Sequence, residues 1–278
     1  MMDLFSQTSN DCSKIITKNY STSFSLGIRC FDDKFRAPIC GIYSFVRFAD
    51  EIVDTFHDFD KAELLKMFRA DTYLAIKEKI SLNPVLHSFQ QVVNKYGIEL
   101  ELIDAFLNSM ETDLHQSTHE TDSYNIYIYG SAEVVGLMCL KVFCENDQNL
   151  YNNLKEPARR LGAAFQKVNF LRDLKSDYTE RGRIYFPGVE YNLFDTLSKK
   201  KIEEDINMDF NEAFSGIQNL PTGAKLGVYL AYVYYKELFR KIKASSTDLT
   251  KTNRIRVNNT HKMMLLCRSA FKVRFNMI

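Results

Sequence analysis

The 278-residue chain has no tryptophan, only 11 glycines and 5 prolines, and almost no net charge. So little turn chemistry leaves no means of punctuating a many-stranded sheet. Lys and Arg (36) nearly cancel Asp and Glu (35), so no whole-molecule field draws the protein to nucleic acid or acidic polymers, and nucleic acid is not an expected partner. The longest apolar run, Leu226 to Tyr235, is ten residues, well short of the roughly 18 that a bilayer-spanning helix needs. The start, MMDLFSQTSNDCSK, lacks the basic and apolar regions of a secretory signal, which predicts a cytoplasmic protein in a reducing compartment. The six cysteines form no C-x-x-C pair, which speaks against a structural zinc site or a redox dithiol and leaves them as small hydrophobes. No glycine-rich phosphate loop is present.

What the chain does have is apolar residues recurring at three- and four-residue spacing almost throughout. The expected fold class is all-α, a helical bundle in one domain over residues 1–278. Helices are predicted at 9–26, 34–56, 60–80, 83–95, 98–114, 122–144, 148–179, 195–217, 222–244 and 259–274. Asp33 is a candidate cap for the second of these, and Ser81 to Pro84, Lys95 to Gly97 and Asn219 to Gly223 read as short connectors.

Two helices stand out. APICGIYSFVRFADEIVDTF (37–56) is apolar nearly all round, yet Tyr43, Arg47, Asp50 and Asp54 fall at i, i+4, i+7 and i+11, on one narrow face. LGAAFQKVNFLRDLKSDY (161–178) repeats the pattern with Gln166, Asn169, Asp173 and Asp177. A solvated ion-pair stripe is the common fate of such spacing, but the apolar flanks argue that both lines are buried, where paired carboxylates repel and lose hydration unless counter-charge is supplied. Hard divalent cations take oxygen ligands, and Mg²⁺ combines one or two carboxylates with waters and substrate phosphates. Two acidic stripes facing across a cavity would hold Mg²⁺ and a diphosphate between them.

Asp50-Glu51-Ile52-Val53-Asp54 and Asp173-Leu174-Lys175-Ser176-Asp177 are a pair of D-x-x-x-D motifs. Around them stand Tyr20-Ser21-Thr22-Ser23-Phe24, Tyr127-Ile128-Tyr129-Gly130 through Val135-Gly136, Asn169-Phe170-Leu171-Arg172-Asp173, Arg181-Gly182-Arg183-Ile184-Tyr185-Phe186-Pro187 and Arg254-Ile255-Arg256-Val257. Over about residues 18 to 265 this set resembles the squalene and phytoene synthase family, all-helical isoprenoid synthases built around a central cavity. Two departures are Tyr20, where many members have His, and Glu133, where Gly is common.

The resemblance implies head-to-head (1'-1) condensation of two prenyl diphosphates through a cyclopropyl diphosphate and two ionisations. Asp50, Asp54, Asn169, Asp173 and Asp177 would bind Mg²⁺, with Mn²⁺ able to substitute. Arg47, Arg172 and Arg254 would contact diphosphate oxygens, with Ser21, Ser23, Tyr43, Gln166 and Tyr235 as neutral donors and Tyr127 in the substrate site. Phe24, Ala132, Val135, Leu161 and Phe165 would line apolar channels. The substrate expected is geranylgeranyl diphosphate, the reaction ending in proton loss without NADPH. The alternatives are a C30 synthase acting on farnesyl diphosphate, a class I terpene cyclase and a non-catalytic helical assembly factor. A monomer or weak dimer is expected, in peripheral contact with the inner membrane face for product release. His115 and His119, at i, i+4, lack the rest of a zinc signature. Met263 and Met264 read as packing or channel wall, and the basic run from Lys236 to Arg274 as a solvated face, with contact to an anionic membrane or to substrate diphosphate as the alternatives.

Overall fold

The computed structural model describes residues 2–115, 118 and 120–278. His119 lies outside the described residues. Among those described, thirteen α-helices follow one another: α1 (Met2–Tyr20), α2 (Thr22–Arg29), α3 (Asp33–Asp54), α4 (Lys61–Glu78), α5 (Pro84–Tyr96), α6 (Leu100–His115), α7 (Thr121–Ile128), α8 (Val134–Cys144), α9 (Gln148–Arg181), α10 (Thr196–Gln218), α11 (Thr222–Ala244), α12 (Thr247–Thr252) and α13 (Asn259–Arg274). The described residues contain no strand, only an isolated bridge between Thr118 and Ile184.

The helix ends follow local chemistry. Asn83 and Pro84 open α5, the Asn side chain accepting from the backbone N–H groups of Val85 and Leu86, and Gly97 closes it in the left-handed region at φ 60°. Asp60, Asp147, Asp195 and Asn258 cap α4, α9, α10 and α13 in the same way. The expected helix over 9–26 is in fact two. Ser21 is extended (φ −146°, ψ 103°), and its Oγ accepts from Phe24 N–H as the cap of α2. Asp33 is not the cap of α3 either; that position is Asp32, while the Asp33 carboxylate pairs with Arg36 at 2.5 Å. The expected helix over 122–144 is interrupted by a wide turn at Tyr129–Glu133, where Val134 N–H bonds to the carbonyl of Tyr129.

The apolar faces condense into two clusters. One joins α3, α4, α5, α6 and α8. At its centre Phe45, fully buried, stacks on Phe89 at 3.9 Å and meets Phe106 at 5.5 Å. The second joins α7, α9, α10 and α11 with the segment around Tyr185 and Phe194. There Phe170 stacks on Tyr185 at 3.9 Å, and Lys167 ties α9 to α10 through Asp205 (2.6 Å) and Asp209 (2.7 Å). The run Thr121–Cys144 is long and apolar enough to cross a membrane by composition, but its most apolar 18-residue stretch is 67% buried inside the protein. It is a core element whose Val134, Leu137 and Met138 are fully enclosed.

Between the clusters a cavity remains, and its walls depend on small residues. A Cβ on Gly162 would lie 2.6 Å from the carbonyl oxygen of Ala132, so α9 crosses the wide turn at backbone contact. Gly162→Ala is expected to cost about 1–3 kcal/mol by overpacking. Chemical denaturation measures this, and an unchanged midpoint would show that the two segments part freely.

Candidate active site

Every polar side chain of the two stripes opens into this one cavity, of about 670 Å³. On α3 the face carries Tyr43, Arg47, Asp50 and Asp54; on α9 it carries Gln166, Asn169, Asp173 and Asp177. Arg181, one turn beyond Asp177, fixes the stripes against each other. Its Nη1 lies 2.9 Å from Asp177 Oδ1 and its Nε 3.5 Å from Asp54 Oδ1.

The acids crowd. Burial pushes the Asp50 carboxyl up to about 7, with Arg47 opposing and Asp54 and Asp113 adding to the rise. The third of the Asp50 side chain that stays accessible (33%) faces the cavity rather than bulk water. Burial likewise raises Asp177 to about 7, helped by Asp173 and opposed by Arg181.

Arg47 has its guanidinium 4.5 Å from the centre of the Tyr20 ring, pairs with Glu51 and leaves its buried Nε without a partner. Tyr20 therefore supplies Arg47 with a π-face rather than a charge. Tyr43 stacks on Phe24 at 4.9 Å, and burial pushes its hydroxyl up to about 12. Ser21 and Ser23 line the same edge. Opposite them the Asp173 carboxylate is gripped by Arg172 (Nε–Oδ1 2.9 Å) and by Arg254 (Nε–Oδ1 2.8 Å). Tyr235 donates to Asn169 Oδ1 at 3.2 Å and stacks on Phe165 at 4.0 Å.

A fifth acid, not anticipated from the sequence, completes this end. Asp113 of α6 accepts from the Tyr127 hydroxyl at 2.8 Å and also hydrogen-bonds Tyr185. Burial lifts its carboxyl to about 6 against the pull of Arg183. Arg183 spans the acids, 2.8 Å from Asp54 Oδ1 and 3.7 Å from Asp113 Oδ2, while donating to the Asp113 carbonyl at 2.9 Å. Asp113 sits near the helix end METDLH, beside polar Glu111, Thr112 and His115, yet it continues the buried face of Phe106 and Met110 at i+7 and i+3, a spacing that could have marked it; Arg183 was visible only as part of Arg181–Pro187.

Away from the acids the cavity is apolar. Phe24, Ala132, Val135, Leu161 and Phe165 are on its wall, and Leu154 and Pro157 carry it further along α9. From Leu154 to Asp173 the α9 wall runs about 28 Å at 1.5 Å per residue. Glu133 turns out of this lining and pairs with Arg159 at 2.7 Å. Of the tyrosines grouped in the sequence, Tyr234 and Tyr235 line the cavity, and Tyr232 packs against Phe210 at 5.6 Å.

The donor set suits a hard divalent cation. The groups at the acidic end are oxygen donors, and the raised carboxyls register surplus negative charge in a poorly hydrated place. Among the described residues no three His, Cys, Asp or Glu side chains form a ready-made cage. A cation held there would share its shell with water and substrate oxygens, as Mg²⁺ commonly does.

A deep cavity with acids and arginines at one end and a greasy wall at the other is the architecture of an isoprenoid synthase. A family model for squalene/phytoene synthase matches residues 17–261. The chain belongs to this family, whose members are head-to-head prenyltransferases. Among relatives, a phytoene synthase of Arthrospira platensis is 26% identical, covering 90% of this chain and 89% of its own. A 4,4'-diapophytoene synthase of Staphylococcus haemolyticus is 28% identical over 68% of this chain and 66% of its own length. The chain thus spans about two thirds of that relative. A ligand-bound dehydrosqualene synthase shares the fold at a TM-score of 0.83 and 21% identity, with 97% of this chain and 98% of the other covered.

The raised acids make a stability prediction for metal-free protein. Unfolded Asp titrates near 3.9, whereas folded Asp50 and Asp177 titrate at about 7. Between these values the folded chain holds protons that the unfolded chain has lost, so stability falls as pH rises from about 4 to about 7 and then levels. Melting scans across that window should show the fall. Asp50→Asn should flatten it and raise the melting temperature at pH 8, each kcal/mol recovered being worth about 2–4 °C; a lower melting temperature would contradict the charge crowding.

Proposed function

We propose that the protein condenses two molecules of geranylgeranyl diphosphate head to head, through a cyclopropyl diphosphate, to a C40 hydrocarbon, as a phytoene synthase does. The observation that carries this reading is the meeting of two aspartate pairs at one end of a single long apolar cavity. The C20 substrate is favoured by relatives named phytoene synthase, which align along 90% or more of the chain. The second reading, a C30 product from farnesyl diphosphate, draws on the diapophytoene synthase relative.

In this reading Asp50, Asp54, Asn169, Asp173 and Asp177 hold Mg²⁺. When bound, that cation neutralises the diphosphate and stabilises it as a leaving group. Arg47, Arg172 and Arg254 bind diphosphate oxygens, and each must exchange a carboxylate partner for the substrate. Tyr43 and Tyr127 remain neutral hydroxyls at working pH, since burial raises both, and orient oxygens without adding charge. The walls of Phe24, Ala132, Val135, Leu161 and Phe165 hold the tails and keep water from the allylic cation, so that it is captured by a double bond. The ending is loss of a proton, which requires no NADPH. The expected locale is the cytoplasm, with access to a membrane for the hydrocarbon product.

Incubation with Mg²⁺ and each prenyl diphosphate, with and without NADPH, followed by identification of the hydrocarbon, tests the reading. Formation of the C40 triene core without NADPH is expected; a C30 product alone would assign the second reading, and no hydrocarbon from either would overturn both. Asp50→Asn and Asp173→Asn should each lower turnover by at least about 10²-fold, the scale of losing one electrostatic element, with far-ultraviolet circular dichroism unchanged. Full activity in either would refute the metal assignment.

A further inference from the structure

The last helix presents its apolar side to solvent. Contrary to the packing role expected of them, Met263 and Met264 are 52% and 58% exposed, and Phe271 and Phe275 are 57% and 61% exposed. With Cys267, also exposed, these residues occupy one outward arc about 120° wide at 100° per residue, with Arg268 just beyond one edge and Arg274 near the other, between Met263 and Cys267. The inward arc is apolar too: Leu265 is buried in the protein and Val273 packs against the second core. Two greasy faces on one surface helix mean that only one has found its partner. Phe271 and Phe275 lie against each other at 4.5 Å, forming a continuous apolar ridge.

Charge identifies the missing partner. From Leu249 to Ile278 the chain has seven Lys or Arg and no Asp or Glu, while the remaining 248 residues hold 29 basic against 35 acidic residues. This end of an otherwise acidic molecule is therefore positive around an apolar ridge, the pattern that inserts at an anionic lipid interface. A second copy fits poorly, because a two-fold pairing of this face sets Arg268 and Arg274 against their own equivalents with no acid on the segment to answer them.

We propose that α13 docks the protein on an anionic lipid bilayer, with Met263, Met264, Phe271 and Phe275 in the interfacial layer and Arg268 and Arg274 on lipid phosphates. The other side of the same helix contributes Lys262 and Leu265 to the cavity, so docking places one cavity wall against the membrane. This last point rests on the proposed function, since only a hydrocarbon product needs such a neighbour.

Flotation of the whole chain, without substrate, on vesicles of phosphatidylcholine alone and of phosphatidylcholine with phosphatidylglycerol tests the docking. At least about tenfold more protein should float with the anionic vesicles, and added salt should reduce it. Phe271→Ser/Phe275→Ser and Arg268→Glu/Arg274→Glu should each lower the bound fraction at least about fivefold with circular dichroism and hydrocarbon formation in detergent unchanged. No flotation, or flotation equal in wild type and both variants, would overturn the proposal. So would a dimer in sedimentation velocity that Phe271→Ser/Phe275→Ser dissolves, which would give the ridge to a second copy. Because flotation is read without turnover, an inactive chain that floats counts against the proposed function alone, and an active chain that does not float counts against the docking alone.

Discussion

The site depends on arginines placed between carboxylates that would otherwise force the bundle apart. Two like charges 4 Å apart repel by roughly 4 kcal/mol at the effective dielectric of a protein surface, and here Asp50, Asp54, Asp113, Asp173 and Asp177 share one end of one cavity. Arg181 joins Asp54 to Asp177, and Arg183 joins Asp54 to Asp113. Those guanidiniums make the approach of α3, α6 and α9 tolerable, but burial, with the neighbouring carboxylates adding to it, still leaves Asp50 and Asp177 holding protons near neutrality. The residual charge is a latent affinity for cations.

Everything else in the fold serves to keep this polar end attached to a long greasy space. Two separate aromatic cores, one around Phe45 and one around Phe210, leave the volume between them unfilled. Backbone-close crossings hold that volume at a fixed width. Gly162 meets Ala132, and the Phe31 ring occupies the place a Cβ on Gly227 would need, 2.3 Å away. Side chains that were bulkier at these crossings would spread the helices rather than fill the cavity.

Much of this was legible in the sequence because burial and periodicity speak together. Aspartates at i, i+4 are ordinary, but between Phe45, Ala49, Ile52 and Val53 they had to face something other than water, and the same logic marked Asp173 and Asp177. Features without that contrast were not legible. Ser21 ends one helix and caps the next through a single hydroxyl, and nothing in the apolar spacing from 9 to 26 changes there. The wide turn at Tyr129–Glu133 alters the hydrogen-bond register while leaving the residues apolar. Asp113 has polar Glu111, Thr112 and His115 around it, which masked its place on the buried face of Phe106 and Met110; the approach of Tyr127 and Tyr185 then sets its role. The outward greasiness of α13 was hidden for the opposite reason: Met263 and Met264 read as packing or channel wall, and the basic residues among them as a solvated face.

One contact carries a kinetic corollary. Arg254, half exposed on the connection between α12 and α13, rests on Asp173 at 2.8 Å. An anion arriving at that guanidinium meets a tethered rival of high effective concentration, not a vacant host. The same carboxylate is first in line to reclaim the arginine when the anion departs, so that, under the proposed function, the grip on a spent pyrophosphate would be loosened from within and tight retention traded for turnover.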